Sequence, residues 1–439
     1  MTQKRPRILI IAEAANPDWV SVPLIGWSLS RALARLADVH LVTQVRNRDA
    51  ILRAGLVEGQ DFTAIDSEAF ARPLWAIGEK LRGGSGKGWT TLQLINALSY
   101  PHFERLVWRC FGADIKAGHY DIVHRVTPLS PTISSPLATK CARAGVPFVL
   151  GPLNGGVPWP QEFDAERRQE KEWLSYVRGL YKALPGRRRA LRQAAAIIVG
   201  SRHTEGEVPA AMRDKTVYIP ENAIDPARFS KRADPGQDGP LRACFVGRLV
   251  PYKGPDMALE AAAPLLRDGR MTLDLVGDGP MLPGLKAQAK ALGVAHAVTF
   301  HGWIDHGAVQ DVLARSALMV FPSIREFGGG VVLEAMALGL PSVIVDYAGP
   351  AELLTQGTGW TVPLGDRAAI IAGFHSALER LETDRPALAH AGQAGLDRVA
   401  AQFTWDRKAA QICTIYDWIR GERDDRPDPL AEGRNDAAA

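Results

Sequence analysis

The chain has 439 residues, 46% of them hydrophobic and 23% charged, with 52 Lys and Arg against 48 Asp and Glu. That length exceeds one ordinary core and predicts two domains of roughly 200 residues each, and the composition excludes a disordered or fibrous chain. A formal net charge of +4 gives no argument for a nucleic-acid partner, and no run approaches the ~18 apolar residues that cross a bilayer.

In chain order, Lys4-Arg5-Pro6-Arg7 precedes the apolar run 8–12, which Glu13 ends too early for the apolar region of a signal peptide. The run reads instead as the first buried strand of a parallel sheet. Further strands are predicted at 39–42, 122–124, 148–150 and 196–199, separated by helical patterns. His124, at a strand end, is a candidate catalytic histidine or a buried structural one. Asn154, Gly155 and Gly156 follow the next strand, where glycines permit close backbone approach and an acceptor-side role. Residues 160–190 interleave Arg167, Arg168, Lys171, Trp173, Tyr176, Arg178, Tyr181, Lys182 and Arg187-Arg188-Arg189 with five acidic residues, so a solvated helix is expected. The alternative is an amphipathic face on an anionic membrane, to which 74–108 would add Trp75, Trp89 and Tyr100.

Ile219-Pro220-Glu221-Asn222 and the Pro/Gly-rich stretch 231–240 read as the passage between domains. A second set of strands is predicted at 242–246, 272–276, 298–301, 318–321 and 342–345. Arg248 and Lys253 lie directly after the first of these, at the carboxyl edge where open α/β sheets bind ligands, and could neutralise a diphosphate. Gly247 and Gly277 sit in neighbouring strand-end loops. Next comes 321–341, Phe-Pro-Ser-Ile-Arg-Glu-Phe-Gly-Gly-Gly-Val-Val-Leu-Glu-Ala-Met-Ala-Leu-Gly-Leu-Pro, read as a strand, a glycine loop and a helix over 331–338. A glycine loop opening a helix presents unpaired amides to phosphate. Glu326 stands before that helix and Glu334 is expected on its first turn, one carboxylate to meet a sugar and the other ribose hydroxyls. Helices are predicted over 369–381 and 405–419, and a disordered tail beyond 424. Cys110, Cys141, Cys244 and Cys413 lack paired spacings, which disfavours a zinc site or a disulfide framework and predicts a reducing cytoplasm.

The 321–341 stretch resembles the two-glutamate signature of family-four retaining glycosyltransferases, usually Pro-Ser-x-x-Glu-Gly-Phe-Gly followed by Leu-Glu-Ala; here Phe327-Gly328 replaces Gly-Phe. Gly247-Arg248-Leu249 with Lys253-Gly254, Gly277-Asp278-Gly279-Pro280, Gly357 to Pro363 and Phe403-Thr404-Trp405 are similar to other segments of the family. The resemblance is dense from 242 to about 364. Family members often carry His-x-His in the first half, whereas this chain reads His124-Arg125-Val126.

What the resemblance implies is the α/β fold of GT-B type, two doubly wound Rossmann-like domains facing a central cleft. They would occupy 1–222 on the acceptor side and 223–402 on the nucleotide-sugar side, with a helix at 403–421 crossing back to the first and a tail at 422–439. It implies a metal-independent, retaining sugar transfer from a nucleotide-diphosphate donor, with no cofactor. Arg248 and Lys253 would hold the diphosphate, Glu326 the donor sugar and Glu334 the ribose. Gly328 and the amides of Gly329, Gly330, Val331 and Val332 would line the phosphates, and Trp303 the nucleobase. The acceptor is expected to be a glycan or lipid-linked, at the inner face of the cytoplasmic membrane if membrane contact occurs. Two alternatives stand beside this reading: a degenerate sugar-nucleotide-binding scaffold, and a sugar-nucleotide epimerase, for which the first half offers no convincing acid/base pair.

Overall fold

A computed structural model describes residues 5–69, 89–155, 157–163, 185–234 and 239–431. The first sheet has seven strands: β1 Arg7–Ala12, β2 Asp38–Gln44, β3 Phe62–Ile65, β4 Ile122–Thr127, β5 Phe148–Leu153, β6 Ala196–Val199 and β7 Thr216–Tyr218. Their order is β3-β2-β1-β4-β5-β6-β7, every pair parallel. The second has six: β8 Leu241–Val246, β9 Met271–Val276, β10 Val298–Gly302, β11 Leu318–Phe321, β12 Ser342–Asp346 and β13 Trp360–Pro363, in the order β10-β9-β8-β11-β12-β13, again parallel.

The strands are apolar on both faces because both faces are covered, as a parallel sheet requires. In β1 the alternation is explicit. Leu9 and Ile11 enter one core with Phe103, Val107 and Phe111 of helix Trp89–Lys116, while Ile8, Ile10 and Ala12 enter the other with Leu29 and Leu33 of helix Val22–Leu36. The second core also holds Ala409, Ile412, Ile415 and Tyr416 of helix Trp405–Ile419, all 0 to 1% exposed. Each buried isoleucine there contributes about 2 kcal/mol by removing apolar surface from water.

The chain divides into two units: Met1–Gly156, Arg168–Glu221 and Trp405–Ala439 in the first, Val157–Arg167 and Asn222–Thr404 in the second. Each sheet reverses its winding once, between β1 and β4 in the first unit and between β8 and β11 in the second. At such a point two strand-end loops diverge and leave a crevice for a ligand.

Three strands escaped the sequence reading, β3, β7 and β13, each three or four residues long and at a sheet edge. Tyr100, which the membrane-face alternative would have placed on that surface, is 3% exposed in the first core, and Trp108 packs against that core, because helix Trp89–Lys116 covers the sheet. The tail was expected to be disordered. Through residue 431 it is tied down instead, since Arg426 donates to the carbonyls of Arg213 and Thr216 and Leu430 packs on the core. Most of the basic segment, 164–184, lies outside the described residues, as does 70–88.

Candidate functional site

At the switch point of the second sheet the loop after β8 carries Arg248 and Lys253, and the loop after β11 carries Glu326. The sequence builds these loops by close approach. Backbone bonds run from Gly247 N to the Val276 carbonyl and from Leu249 N to the Asp278 carbonyl, each 3.0 Å. Gly277 has φ +133°, and a Cβ there would stand 1.9 Å from the Gly247 carbonyl oxygen, so only glycine lets the β8 and β9 loops lie together.

Lys253 donates to Glu326 Oε2, both side chains being mostly buried. Burial, and then the nearby Arg248 charge, push the Lys253 ammonium down to about 7. Arg248 itself is exposed. The Glu326 carboxylate beside it favours the charged form against that push.

Helix Gly330–Ala337 begins at Gly329, whose φ of +61° places it in the left-handed region. A Cβ at Gly329 would meet Pro350 and Leu353 at 3.0 Å. Gly330 and Val331 occupy the first two helical positions, whose amides an α-helix leaves without an intrahelical partner. Val332 was expected to offer its amide as well, but that N–H is turned to the Gly329 carbonyl at 2.9 Å. Glu334 is the fifth helical residue, so it opens the second turn rather than standing on the first. It lies 3.6 Å from Nε2 of His306, and the nearby Glu334 carboxylate, opposed by desolvation, raises the His306 imidazole above its ordinary value. The His306 ring meets Phe229 edge-on at 5.4 Å. Trp303, after β10, is 79% exposed, a large apolar ring open to a stacking partner.

His124 is not available for catalysis. It is fully buried, its Nε2 donates to the Gly151 carbonyl at 2.7 Å, and its Nδ1 accepts from the Tyr416 hydroxyl at 2.6 Å. Burial pushes its pKa down to about 4, so it stays neutral and pins β4 to helix Trp405–Ile419. Val126 is buried in the same core. Asn154 is likewise engaged: its Nδ2 donates to Glu221 at 2.5 Å, while Oδ1 accepts from Gly155 N at 2.8 Å and Ser201 Oγ at 2.9 Å. Gly155 is buried beside it and Gly156 lies outside the described residues.

Sequence reasoning passed over His306 and the side chains packed behind the ion pair, Trp159, Tyr252 and Arg325. Their signal was adjacency: Tyr252 and Arg325 immediately precede Lys253 and Glu326. A cavity of about 660 Å³ lies elsewhere, where β1 and β2 begin, lined by Arg5, Arg7, Arg31, Arg35, Asp38 and Asp61. It is at the amino edge of the first sheet, opposite the edge where open α/β sheets bind ligands. Two of its four arginines have carboxylate partners, Arg7 with Asp121 and Arg35 with Asp406.

Residues 228–395 match the family model described as Glycosyl transferases group 1, so the second unit carries a domain of that family. The chain is 33% identical over 215 residues to glycogen synthase of Mycobacterium tuberculosis, covering 48% of this chain and 51% of that protein. It is 34% identical over 228 residues to D-inositol 3-phosphate glycosyltransferase of Rhodococcus erythropolis, covering 50% of each. It thus spans about half the length of the curated relatives it matches. Among solved structures, sucrose-phosphate synthase of Thermosynechococcus elongatus aligns with a TM-score of 0.60 at 20% identity, over 95% of this chain and all of that one. Anabaena HepE, solved with UDP and glucose, aligns with a TM-score of 0.58 at 16% identity, over 93% and 99%. The fold is therefore the GT-B type, with two Rossmann-like α/β units.

Proposed function

We propose that the chain is a retaining glycosyltransferase that moves a sugar from a nucleotide-diphosphate donor to a glycan or lipid-linked acceptor without a metal ion. The observation that carries this is the Lys253–Glu326 pair beside Arg248 at the switch point of a group 1 domain. Arg248 and Lys253 would take the diphosphate charge as the bond from the sugar's anomeric carbon to phosphate oxygen breaks, work that a divalent ion performs elsewhere. Glu326, released from Lys253, would hold donor-sugar hydroxyls. Gly330 and Val331 amides would add phosphate contacts, Glu334 would accept from the ribose, and Trp303 would stack on the base. The acceptor hydroxyl would form the new bond on the face the diphosphate leaves, giving its proton to the departing phosphate oxygen.

A lipid-linked acceptor would bring the protein to a membrane face; no helix among the described residues is long and apolar enough to cross one. A binding-only scaffold draws support from the commitment of both His124 nitrogens. A site that had lost chemistry would have no need to keep Arg248, Lys253, Glu326 and Glu334 together, which favours the enzyme.

The reading is tested by incubating the protein with UDP-, GDP- and ADP-sugars in EDTA and following nucleoside diphosphate release and the first-formed anomer of the freed or transferred sugar by NMR. Release from one donor series, with the donor's anomeric configuration kept and the rate cut at least 100-fold in Glu326→Gln, is expected. Inverted configuration, or release only after magnesium is added, would overturn the retaining or the metal-independent part.

A further inference from the structure

The two loops that carry the ion pair are joined at the backbone. The Tyr252 carbonyl accepts from Ile324 N at 3.0 Å and from Ser323 Oγ at 3.2 Å. Lys253 N donates to the Val250 carbonyl, also at 3.0 Å, so the lysine's position is set largely by main-chain bonds. Glu326 is held differently. It stands in an irregular loop, after the buried strand β11 and before the Gly329 cap, and the residue that anchors the loop beside it is Arg325, 6% exposed.

Arg325 is clamped from two sides. Its guanidinium carbon lies 5.3 Å from the Trp159 ring centre and 5.5 Å from that of Phe327, and its Nε donates to the Val157 carbonyl at 3.3 Å. Trp159, also 6% exposed, meets the Tyr252 ring edge-on at 6.0 Å and 89°. The next carbonyl in that segment, that of Pro158, accepts from the Tyr347 hydroxyl at 3.1 Å, which ties the segment to the loop after β12 as well. Trp159 therefore touches the residue preceding Lys253 and the residue preceding Glu326. Its segment, Val157–Arg167, partitions with the second unit although the flanking strands β5 and β6 build the first sheet.

Resting on the glycosyltransferase reading above, we infer that Trp159 is a positioning residue for Glu326: acting through the stacked Arg325 guanidinium, it fixes the carboxylate that meets the donor sugar. The sugar end of the donor site is then set by a segment outside the group 1 match, which begins at residue 228. Phe327, standing where the family's signature usually has glycine, completes the sandwich around Arg325 instead of leaving the loop open. A planar guanidinium between two rings is held in orientation as well as in place, which an ammonium would not be. A displacement of about 1 Å in a group that orients a reactant costs about 100-fold in rate.

The test compares bare nucleotide with nucleotide sugar. Wild type, Trp159→Ala, Trp159→Phe and Arg325→Lys are titrated calorimetrically with UDP, GDP and ADP and with their glucose and mannose conjugates, in EDTA, after circular dichroism has established that each variant folds. For the series that wild type binds, the ratio of sugar-conjugate Kd to diphosphate Kd is expected to rise about tenfold in Trp159→Ala and in Arg325→Lys. Bare diphosphate affinity should stay within about threefold, and Trp159→Phe should restore most of the ratio. Should Trp159→Ala fail to fold, Arg325→Lys and Trp159→Phe carry the comparison alone. Equal weakening of both ligands, or an unchanged ratio, overturns the inference while leaving the donor site standing. Absence of binding by wild type overturns both.

Discussion

Individual side chains carry the chemistry, and two of them make sharp predictions. Replacing Glu334 with Ala removes one charged hydrogen-bond acceptor, so nucleoside diphosphate affinity should fall by about 1.5–3 kcal/mol, or roughly 10- to 150-fold. A calorimetric Kd equal to that of wild type would contradict its ribose role. Lys253 is held near 7, below its ordinary 10.5, so its ammonium is depleted as pH rises through 7 and refilled as pH falls. Diphosphate affinity should therefore drop about tenfold between pH 6 and 8.5, and Lys253→Arg, always charged, should lose most of that slope. A slope identical in the two proteins would sink the assignment. The placement of Arg248, Lys253 and Glu326 in strand-end loops was legible because each sits in a short contiguous motif after an apolar run, whereas Glu334, expected on the first turn of its helix, stands one turn further in. His124 was not legible, since its role depends on the hydroxyl of Tyr416, 292 residues away. Trp159 was equally hidden, for nothing in Val157-Pro158-Trp159-Pro160 announces that its partner is Arg325. Tertiary contact, rather than residue type, decided both.

The elements were legible mainly where strands are central and apolar throughout. Strand β11 was expected at the residues it occupies, and β1, β8 and β9 to within one residue. A buried parallel strand writes itself as a continuous apolar run, whereas β3, β7 and β13 lie at sheet edges and carry only three or four residues with two or fewer strongly apolar ones among them. Loop geometry was partly legible through its glycines, and the structure explains which of them matter. Gly277→Ala would drive a Cβ into the Gly247 carbonyl and force the β8 and β9 loops apart. The expected loss is at least about 2 kcal/mol, seen as a fall in Tm of about 4 °C or more together with weakened diphosphate binding. Wild-type Tm and affinity in that variant would mean that the two loops are free to separate without consequence.

At the scale of the molecule, the chain builds the same doubly wound parallel plan twice and, besides the short excursion Val157–Arg167, leaves the first unit after Glu221 to return to it at Trp405. The two crossings are tied side by side, Ile224 N donating to the Phe403 carbonyl at 2.7 Å. Just inside the first unit, the buried ammonium of Lys408 donates to the Pro220 carbonyl. Burial pushes Lys408 down to about 7, against the raising effect of Glu221. A folded value below the ordinary 10.5 means that the unfolded chain binds more protons between pH 7 and 10.5, so this lysine's cost is complete below 7 and fades as pH rises. Lys408→Met should therefore gain most in Tm over wild type near pH 6, with the gain shrinking towards pH 10; a difference constant with pH would show that Lys408 is charged throughout. Whether the switch point of the second sheet holds a nucleotide-diphosphate sugar is decided by calorimetric titration with UDP, GDP, ADP and their sugar conjugates in EDTA. Saturable one-to-one binding of one nucleotide series, weakened at least tenfold in Arg248→Ala and in Glu334→Ala, is expected. Absence of binding in every series, or binding that both variants retain at full strength, would contradict a donor site there.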